Sequence, residues 1–180
     1  VSLINTIQSI MSVDLDAMAP TPTVDGKGTH GGYCGPAVKP IAMRMVADIA
    51  RDPECQGMAI SGIGGVSTWR DAAEFISLGA STVQVCTAAM HHGFRIVEEM
   101  ADGLANWMDG RGFGEDKDFT GMAIPNYVHW DDLNLNYKIV AHIDQASCIK
   151  CGLCHIACED TAHQAIGALR TAGARRYEVI

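Results

Sequence analysis

The chain has 180 residues, 48% of them apolar, and a formal net charge of -8. That length fits one ordinary domain, or one domain with a small appendix, and the apolar fraction excludes a disordered chain. The 13 Lys and Arg are scattered, so there is no electrostatic footprint for nucleic acid or an anionic membrane, and no apolar run approaches a membrane span.

Val1 to Thr6 has no basic n-region and no cleavage signal. Ser2 to Ile7 predicts a short buried strand. There is no initiator Met, and Arg175 to Ile180 also reads as a strand, so the chain reads as a piece of a longer protein. A loop rich in Pro, Gly, Asp and Thr follows the first strand through Gly35. Pro36 sits where a helix accepts it, at the first turn, and Pro40 is still early enough to be tolerated. Val38, Ile41, Met45, Val46 and Ile49 recur at helical spacing and predict an amphipathic helix to about Asp52.

Gly57 to Ser61 predicts a second strand, closed by the turn Gly62-Ile63-Gly64-Gly65. Thr68 with Asp71 three residues on resembles a capping box. Ala72, Phe75 and Ile76 form the inner face of the next helix, and Gly79 stops it. Thr82 to Cys86 predicts a third strand. A third helix is expected from Gly93 to Asp109, with Ile96, Val97, Met100, Leu104 and Trp107 on its inner side. Gly110 to Tyr137 has no period and reads as a connector, before a short strand-like stretch at Ile139 to Ile143.

Three strand–loop–helix units with apolar rather than alternating strands imply an α/β fold, a parallel sheet covered by helices. Each unit places glycines and polar residues just after its strand, where α/β folds bind ligands. Three units do not close an eight-stranded barrel; they suit its last part.

The most specific motif is Cys148-x-x-Cys151-x-x-Cys154-x-x-x-Cys158. Three thiolates in one tight loop wrap a face of a cubane, the bacterial ferredoxin spacing for a 4Fe-4S centre. Structural zinc instead uses two separated ligand pairs. Glu159 stands where Pro usually follows the last Cys, and no cysteine follows Cys158. In two-cluster ferredoxins the fourth Cys serves the other cluster, so the expected partners lie outside this chain. The other three of the seven cysteines, Cys34, Cys55 and Cys86, are dispersed, which points to a reducing cytoplasm rather than to disulfides.

Gly64 and Gly65 open a helix, so their N–H groups can face an anion with no Cβ in the way. Thr87 offers an N–H and a hydroxyl after the next strand. A tight turn accounts for one such glycine pair equally well; two consecutive units built this way favour a phosphate site. There is no nucleoside-triphosphate loop, and the glycines fail the dinucleotide fingerprint. In Gly31-Gly32-Tyr33-Cys34-Gly35-Pro36 the glycines either admit a flat ligand or mark a mobile loop. The Asn5 amide suits the amide edge of a pyrimidine, though alone it is commonly a turn residue. His91-His92 reads as a solvated helix start, His155 and His163 as local packing near the cluster, and Met43 and Met45 as core.

Ser2-Leu3-Ile4-Asn5-Thr6, Gly31 through Ala42, Ser61-Gly62-Ile63-Gly64-Gly65 and Val83-Gln84-Val85-Cys86-Thr87 resemble successive blocks of the flavin barrel of the dihydroorotate/dihydropyrimidine dehydrogenase family. The cysteine run, with Glu159-Asp160-Thr161 and Gln164-Ala165-Ile166 after it, resembles the ferredoxin extension of the dihydropyrimidine dehydrogenase branch. The resemblance covers nearly the whole chain. It implies the C-terminal part of an FMN-binding (β/α)8 barrel over residues 1–109, a connector over 110–138, and the first half of a 4Fe-4S ferredoxin-like domain over 139–180.

The resemblance further implies that Gly35, Ile63, Gly64, Gly65, Cys86 and Thr87 contact FMN, that Asn5 and Thr6 contact a pyrimidine such as uracil or thymine, and that Cys148, Cys151, Cys154 and Cys158 ligate clusters. It also implies a partner subunit bearing FAD and NAD(P)H, whose electrons pass through the clusters to reduce the 5,6 double bond of the pyrimidine. The family's proton donor is a cysteine on a mobile loop preceding the region in hand, and Cys34 does not match it. A stand-alone iron–sulfur electron-transfer module and a dihydroorotate-type flavoenzyme are the alternatives. A visible spectrum separates the first, and the cysteine run disfavours the second.

Overall fold

The computed structural model describes residues 1–136, 141–161, 164–169 and 178–179, in two units, Val1–Trp130 and Asp131–Ile180. The first unit begins with β1 (Ser2–Leu3) and continues through four short strands, β2 (Ile7–Ser9), β3 (Ser12–Asp14), β4 (Ala19–Thr21) and β5 (Gly31–Tyr33). These four make two antiparallel ribbons, β2 with β5 and β3 with β4. A 3-10 turn at Pro36–Val38 then leads into α1 (Lys39–Arg51). Pro36 and Pro40 each stand at the start of their helical segment, where a missing N–H costs nothing.

Two further strand–helix pairs follow. They are β6 (Ser61–Ile63) with α2 (Trp69–Ser77), and β7 (Thr82–Gln84) with α3 (Thr87–His92) and α4 (Ile96–Arg111). The strands form a parallel sheet in the order β1-β6-β7. The capping box at Thr68 and Asp71 is present, and Gly79 follows α2 with φ +101°, a conformation that suits glycine.

Leu3, Gly62 and Val83 lie side by side across the sheet. Gly62 admits the fully buried Phe75 against the backbone of β6: a Cβ there would stand 2.6 Å from the Phe75 ring. Around Phe75 the core gathers Ile4, Val38, Ala42, Val46, Ile60, Ile96 and Met100. A second cluster joins Ala73 and Ile76 of α2 to Phe119, with Trp107 and Phe113 packed on it. Phe119 meets Trp107 edge-on at 5.1 Å and stacks on Phe113 at 5.5 Å.

Several expectations change. The first strand ends at Leu3, and Ile7 belongs to a separate ribbon. The stretch expected as a loop through Gly35 carries both ribbons. Strand β6 starts at Ser61, where the expected strand was to end, so Gly62 and Ile63 are in the strand and the turn is Gly64-Gly65. On α1 the buried residues are Ala42, Val46 and Ala47, with Val38 buried in the turn before it, whereas Ile41 and Met45 are 44% and 45% exposed. At Ala42 the helix lies so close to the turn after β6 that only a small residue fits: a Cβ on Gly64 would come within 2.9 Å of the Ala42 Cβ. Val97 is exposed, while Ile96 and Met100 are buried as expected. The connector is not passive, since Phe119 is buried.

In the second unit α5 (Leu153–Glu159) is followed by β8 (Ala168–Leu169), which pairs antiparallel with β9 (Glu178–Val179). Ala141 to Ile143 has no regular structure. Residues 139 and 140, His163, and most of the strand expected at the end lie outside the described residues. No helix among the described residues is long and apolar enough to cross a membrane.

Candidate functional site

The three parallel strands end at one cavity of about 550 Å³. Ile4, Asn5 and Thr6 enter it after β1, Ile63, Gly64 and Gly65 at and after the end of β6, and Cys86 and Thr87 after β7. Cys34, Gly35 and Pro36 close it from the turn before α1. The structure therefore gathers Asn5, Thr6, Gly35, Ile63, Gly64, Gly65, Cys86 and Thr87 around one space, at the carboxyl edge of a parallel sheet. Its volume is that of a small-molecule or cofactor site.

The strand ends are held rigidly. Ile4 N–H donates to the Ile63 carbonyl at 2.6 Å, which ties the segment after β1 to β6. Asn5 accepts through Oδ1 from the Thr6 N–H at 2.7 Å. Gly64 and Gly65 have φ +126° and +73°. A Cβ on Gly65 would stand 2.8 Å from both the Gly35 carbonyl and the Lys39 Cβ. That glycine is therefore required by packing against the start of α1, whether or not an anion binds. Gly35 differs: it has φ +84°, and although its backbone is buried a Cβ there would meet nothing within 4 Å, so the space beside it is open. Gly32 does not face a flat ligand, because a Cβ there would strike Thr6.

Behind the turn lies an ionic clamp. Lys39 Nζ reaches Asp71 at 2.5 Å and Glu74 at 2.6 Å. The other Asp71 oxygen accepts from Ser67 N–H, Thr68 N–H and the Thr68 hydroxyl at 2.8–2.9 Å. Partial burial pushes the Asp71 carboxyl up, but the bond from Lys39 and the donors of Ser67 and Thr68 outweigh it, so its pKa lies below the ordinary value. Burial likewise pulls Lys39 down, and its two carboxylate partners more than reverse this. One carboxylate thus caps α2, fixes the loop after Gly65 and anchors α1.

The lining also includes Cys34, from the glycine-rich loop, and His91 and His92, expected as a solvated helix start, while the reading of residues alone did not single out Ser67, Gln84 and Met90. The two histidines end α3 rather than start a helix, and they reach the rim. Gln84 had a sequence signal, its position two residues before Cys86 at the end of β7.

The cysteine loop is built differently. Asp144 accepts from the Ser147 hydroxyl at 2.7 Å and the Ala146 N–H at 2.9 Å, and those bonds lower its pKa. The turn so held leads into Cys148. Lys150 and Gly152 take left-handed conformations, φ +57° and +77°, and curl the chain between Cys148 and α5. Lys150 N–H points at Cys148 Sγ at 3.4 Å, and Ala165 N–H at Cys158 Sγ at 3.1 Å. The His155 ring faces the Ile166 carbonyl and the Glu159 carboxylate, each at 2.8 Å, and pins the returning segment to α5. All four thiols are free. Among the described residues no three His, Cys, Asp or Glu side chains converge closely enough to hold a metal ion. The donor set itself fits an iron–sulfur cluster: soft thiolate ligands at this spacing, two of them receiving backbone N–H bonds.

Residues 1–108 match the family model for dihydroorotate dehydrogenase, and residues 141–180 match that for a 4Fe-4S dicluster domain. The first match covers more than half of the chain, and the chain belongs to the dihydroorotate dehydrogenase family. It is similar to the NAD-dependent dihydropyrimidine dehydrogenase subunit PreA of Escherichia coli (strain K12), 44% identical over 166 residues, which is 92% of this chain and 40% of that protein. The chloroplastic dihydropyrimidine dehydrogenase (NADP(+)) of Arabidopsis thaliana is 40% identical over 136 residues, 74% of this chain and 32% of its own. The catalytic subunit of dihydroorotate dehydrogenase B (NAD(+)) from Pyrococcus furiosus is 42% identical over 123 residues, 68% of this chain and 38% of its own. The chain thus spans less than half the length of the curated relatives it matches.

Proposed function

We propose that this chain is part of an oxidoreductase that reduces the 5,6 double bond of uracil or thymine, with electrons from NAD(P)H passed through iron–sulfur clusters to FMN. One observation carries the reading. A cavity at the carboxyl edge of a flavin-family sheet and a ferredoxin-type cysteine run occur on the same chain. The span of the similarity supports the pyrimidine-reducing branch over the dihydroorotate branch, since it takes in 166 residues for the former and 123 for the latter.

The cavity suits FMN: apolar walls from Ile4 and Val38, polar groups from Asn5, Thr6 and Thr87, and open space beside Gly35. Gly64, Gly65 and Thr87 would hold the phosphate, with Ile63 and Cys86 beside the ring. When bound, FMN supplies hydride chemistry and the clusters supply single electrons. Asn5 and Thr6 would orient the pyrimidine, and Cys148, Cys151, Cys154 and Cys158 would ligate iron. An FAD- and NAD(P)H-binding partner subunit would feed the clusters, in a cytoplasm that keeps the thiols reduced.

The test is uracil-dependent NAD(P)H oxidation by the full-length natural protein with its partner, in wild type and Asn5→Ala. The variant should keep its FMN and lose about 100-fold in kcat/KM for uracil, because a site built around a hydrogen bond rejects what no longer pairs. A wild-type protein that turns over dihydroorotate and ignores uracil would reject the assignment. So would an Asn5→Ala protein with normal kinetics.

A further inference from the structure

The two faces of the parallel sheet differ. Leu3, Gly62 and Val83 face the helices. On the opposite face Ser2, Ser61 and Thr82 stand level across the three strands, and Gln84 follows Thr82 by two residues, hence on the same face. In a closed β/α barrel this second face is the interior, which bulky branched residues usually fill. Here it is polar and cross-linked. Thr82 Oγ1 donates to Ser61 Oγ at 2.9 Å, and Gln84 Nε2 donates to Ser61 Oγ at 2.7 Å and to Ser2 Oγ at 2.8 Å.

One end of the Gln84 amide is therefore committed to two serines on two different strands. No donor among the described residues reaches the other end, Oε1, and Gln84 lines the cavity. Turning the amide over exchanges its two ends but still leaves one of them for the cavity. A side chain with several free torsions is thus held from two strands where it lines the cavity, although it is exposed, and part of the entropy of fixing it is already lost before any ligand binds.

We propose that Gln84 is a specificity-determining residue that pairs, through the free end of its amide, with the imide edge of a pyrimidinedione ring. Both the flavin's pyrimidine ring and a free uracil or thymine present that edge, an N–H between two carbonyls. The proposal rests on the flavin–pyrimidine reading above and adds to it the residue that recognises the ring.

The experiment uses the full-length natural protein, stripped of flavin, as wild type and as Gln84→Leu. Each is titrated with FMN and with N3-methylated FMN by quenching of flavin fluorescence, and each holoenzyme is assayed with uracil. Should Gln84 read the flavin, the variant weakens FMN binding about tenfold, and only the wild type discriminates against the methylated flavin. Should it read the substrate, FMN affinity holds and kcat/KM for uracil falls about tenfold. Either result supports the proposal and names the source of the ring. A variant with a lower Tm but unchanged flavin affinity and unchanged kcat/KM overturns it, because Gln84 then only ties strands together. Gln84→Met keeps length and removes polarity, and it repeats the test if the leucine variant does not fold. A wild-type protein that binds neither FMN nor uracil overturns this proposal together with the reading beneath it.

Discussion

In Val1–Trp130, Phe75, Val38, Val46 and Phe119 are buried almost completely, and two apolar clusters are packed between sheet and helices. In Asp131–Ile180 no hydrophobic side chain among the described residues is buried, and Ile149 and Leu153 are 73% and 67% exposed. The order there comes from left-handed turns, N–H bonds to cysteine sulfurs and the His155 link. The first region folds on hydrophobic burial. The second resembles small metallo-domains, in which ligand binding and folding are one process.

Loss of a cluster ligand should separate the two regions most sharply. Cys154→Ser in the full-length natural protein should abolish amide-exchange protection over 141–161 and leave protection of α2 unchanged. Exchange measured by mass spectrometry checks both. Equal protection in variant and wild type would show that the cysteine loop folds without its cluster. The converse substitution is Phe75→Ala, which empties the space above Gly62. It should cost the first region about 3–5 kcal/mol in denaturant unfolding and leave iron content unchanged.

A smaller effect sharpens the picture inside the first region. Lys39→Met should cost about 1–2 kcal/mol, since it removes charged hydrogen bonds that are only partly shielded from solvent. The pH dependence has a definite sign. The lowered Asp71 pKa adds stability that is present above its ordinary value of 3.8 and is lost as pH falls through the folded value. The raised Lys39 pKa adds stability that is full below 10.5 and is lost as pH rises through the folded value. The difference between wild type and variant should therefore be level at neutral pH and shrink toward both extremes. Paired unfolding curves across pH check it, and a difference that grows on acidification would contradict the clamp.

What could be read from residues alone depended on how local the cause was. The capping box at Thr68 and Asp71, the stop at Gly79 and the order of the three parallel strands with α1, α2 and α4 have local signals, and they were legible. So was the gathering of Asn5, Thr6, Gly64, Gly65 and Thr87 at one place, because an α/β unit places its ligand groups after each strand. The burial of α1 was not legible. Ile41 and Met45 match a helical period as well as Ala42 and Ala47 do, and the proximity of Gly64 favours a small residue at Ala42. The ribbons were missed because Ile7–Ser9 finds its partner at Gly31–Tyr33, more than twenty residues on, with no alternation to mark it. The cysteine spacing names a chemistry, but which backbone N–H reaches which sulfur is a tertiary property. Gln84 stood in a legible stretch, but its role as a ligand group was not legible, because that comes from serines on two other strands.

The carboxylate of Asp71 also fixes a length. It caps α2, accepts from Ser67 and meets Lys39, so the loop between Gly65 and Asp71 is measured from both ends. One residue inserted there would carry Asp71 about 100° around the helix, away from all these partners at once. The tip of the β3–β4 ribbon, Asp14 to Ala19, has no such double anchor. Variation in chain length should therefore gather at that tip and be absent from the glycine turn. Insertion libraries and natural diversity would show the same contrast, even where residue identities in the turn drift.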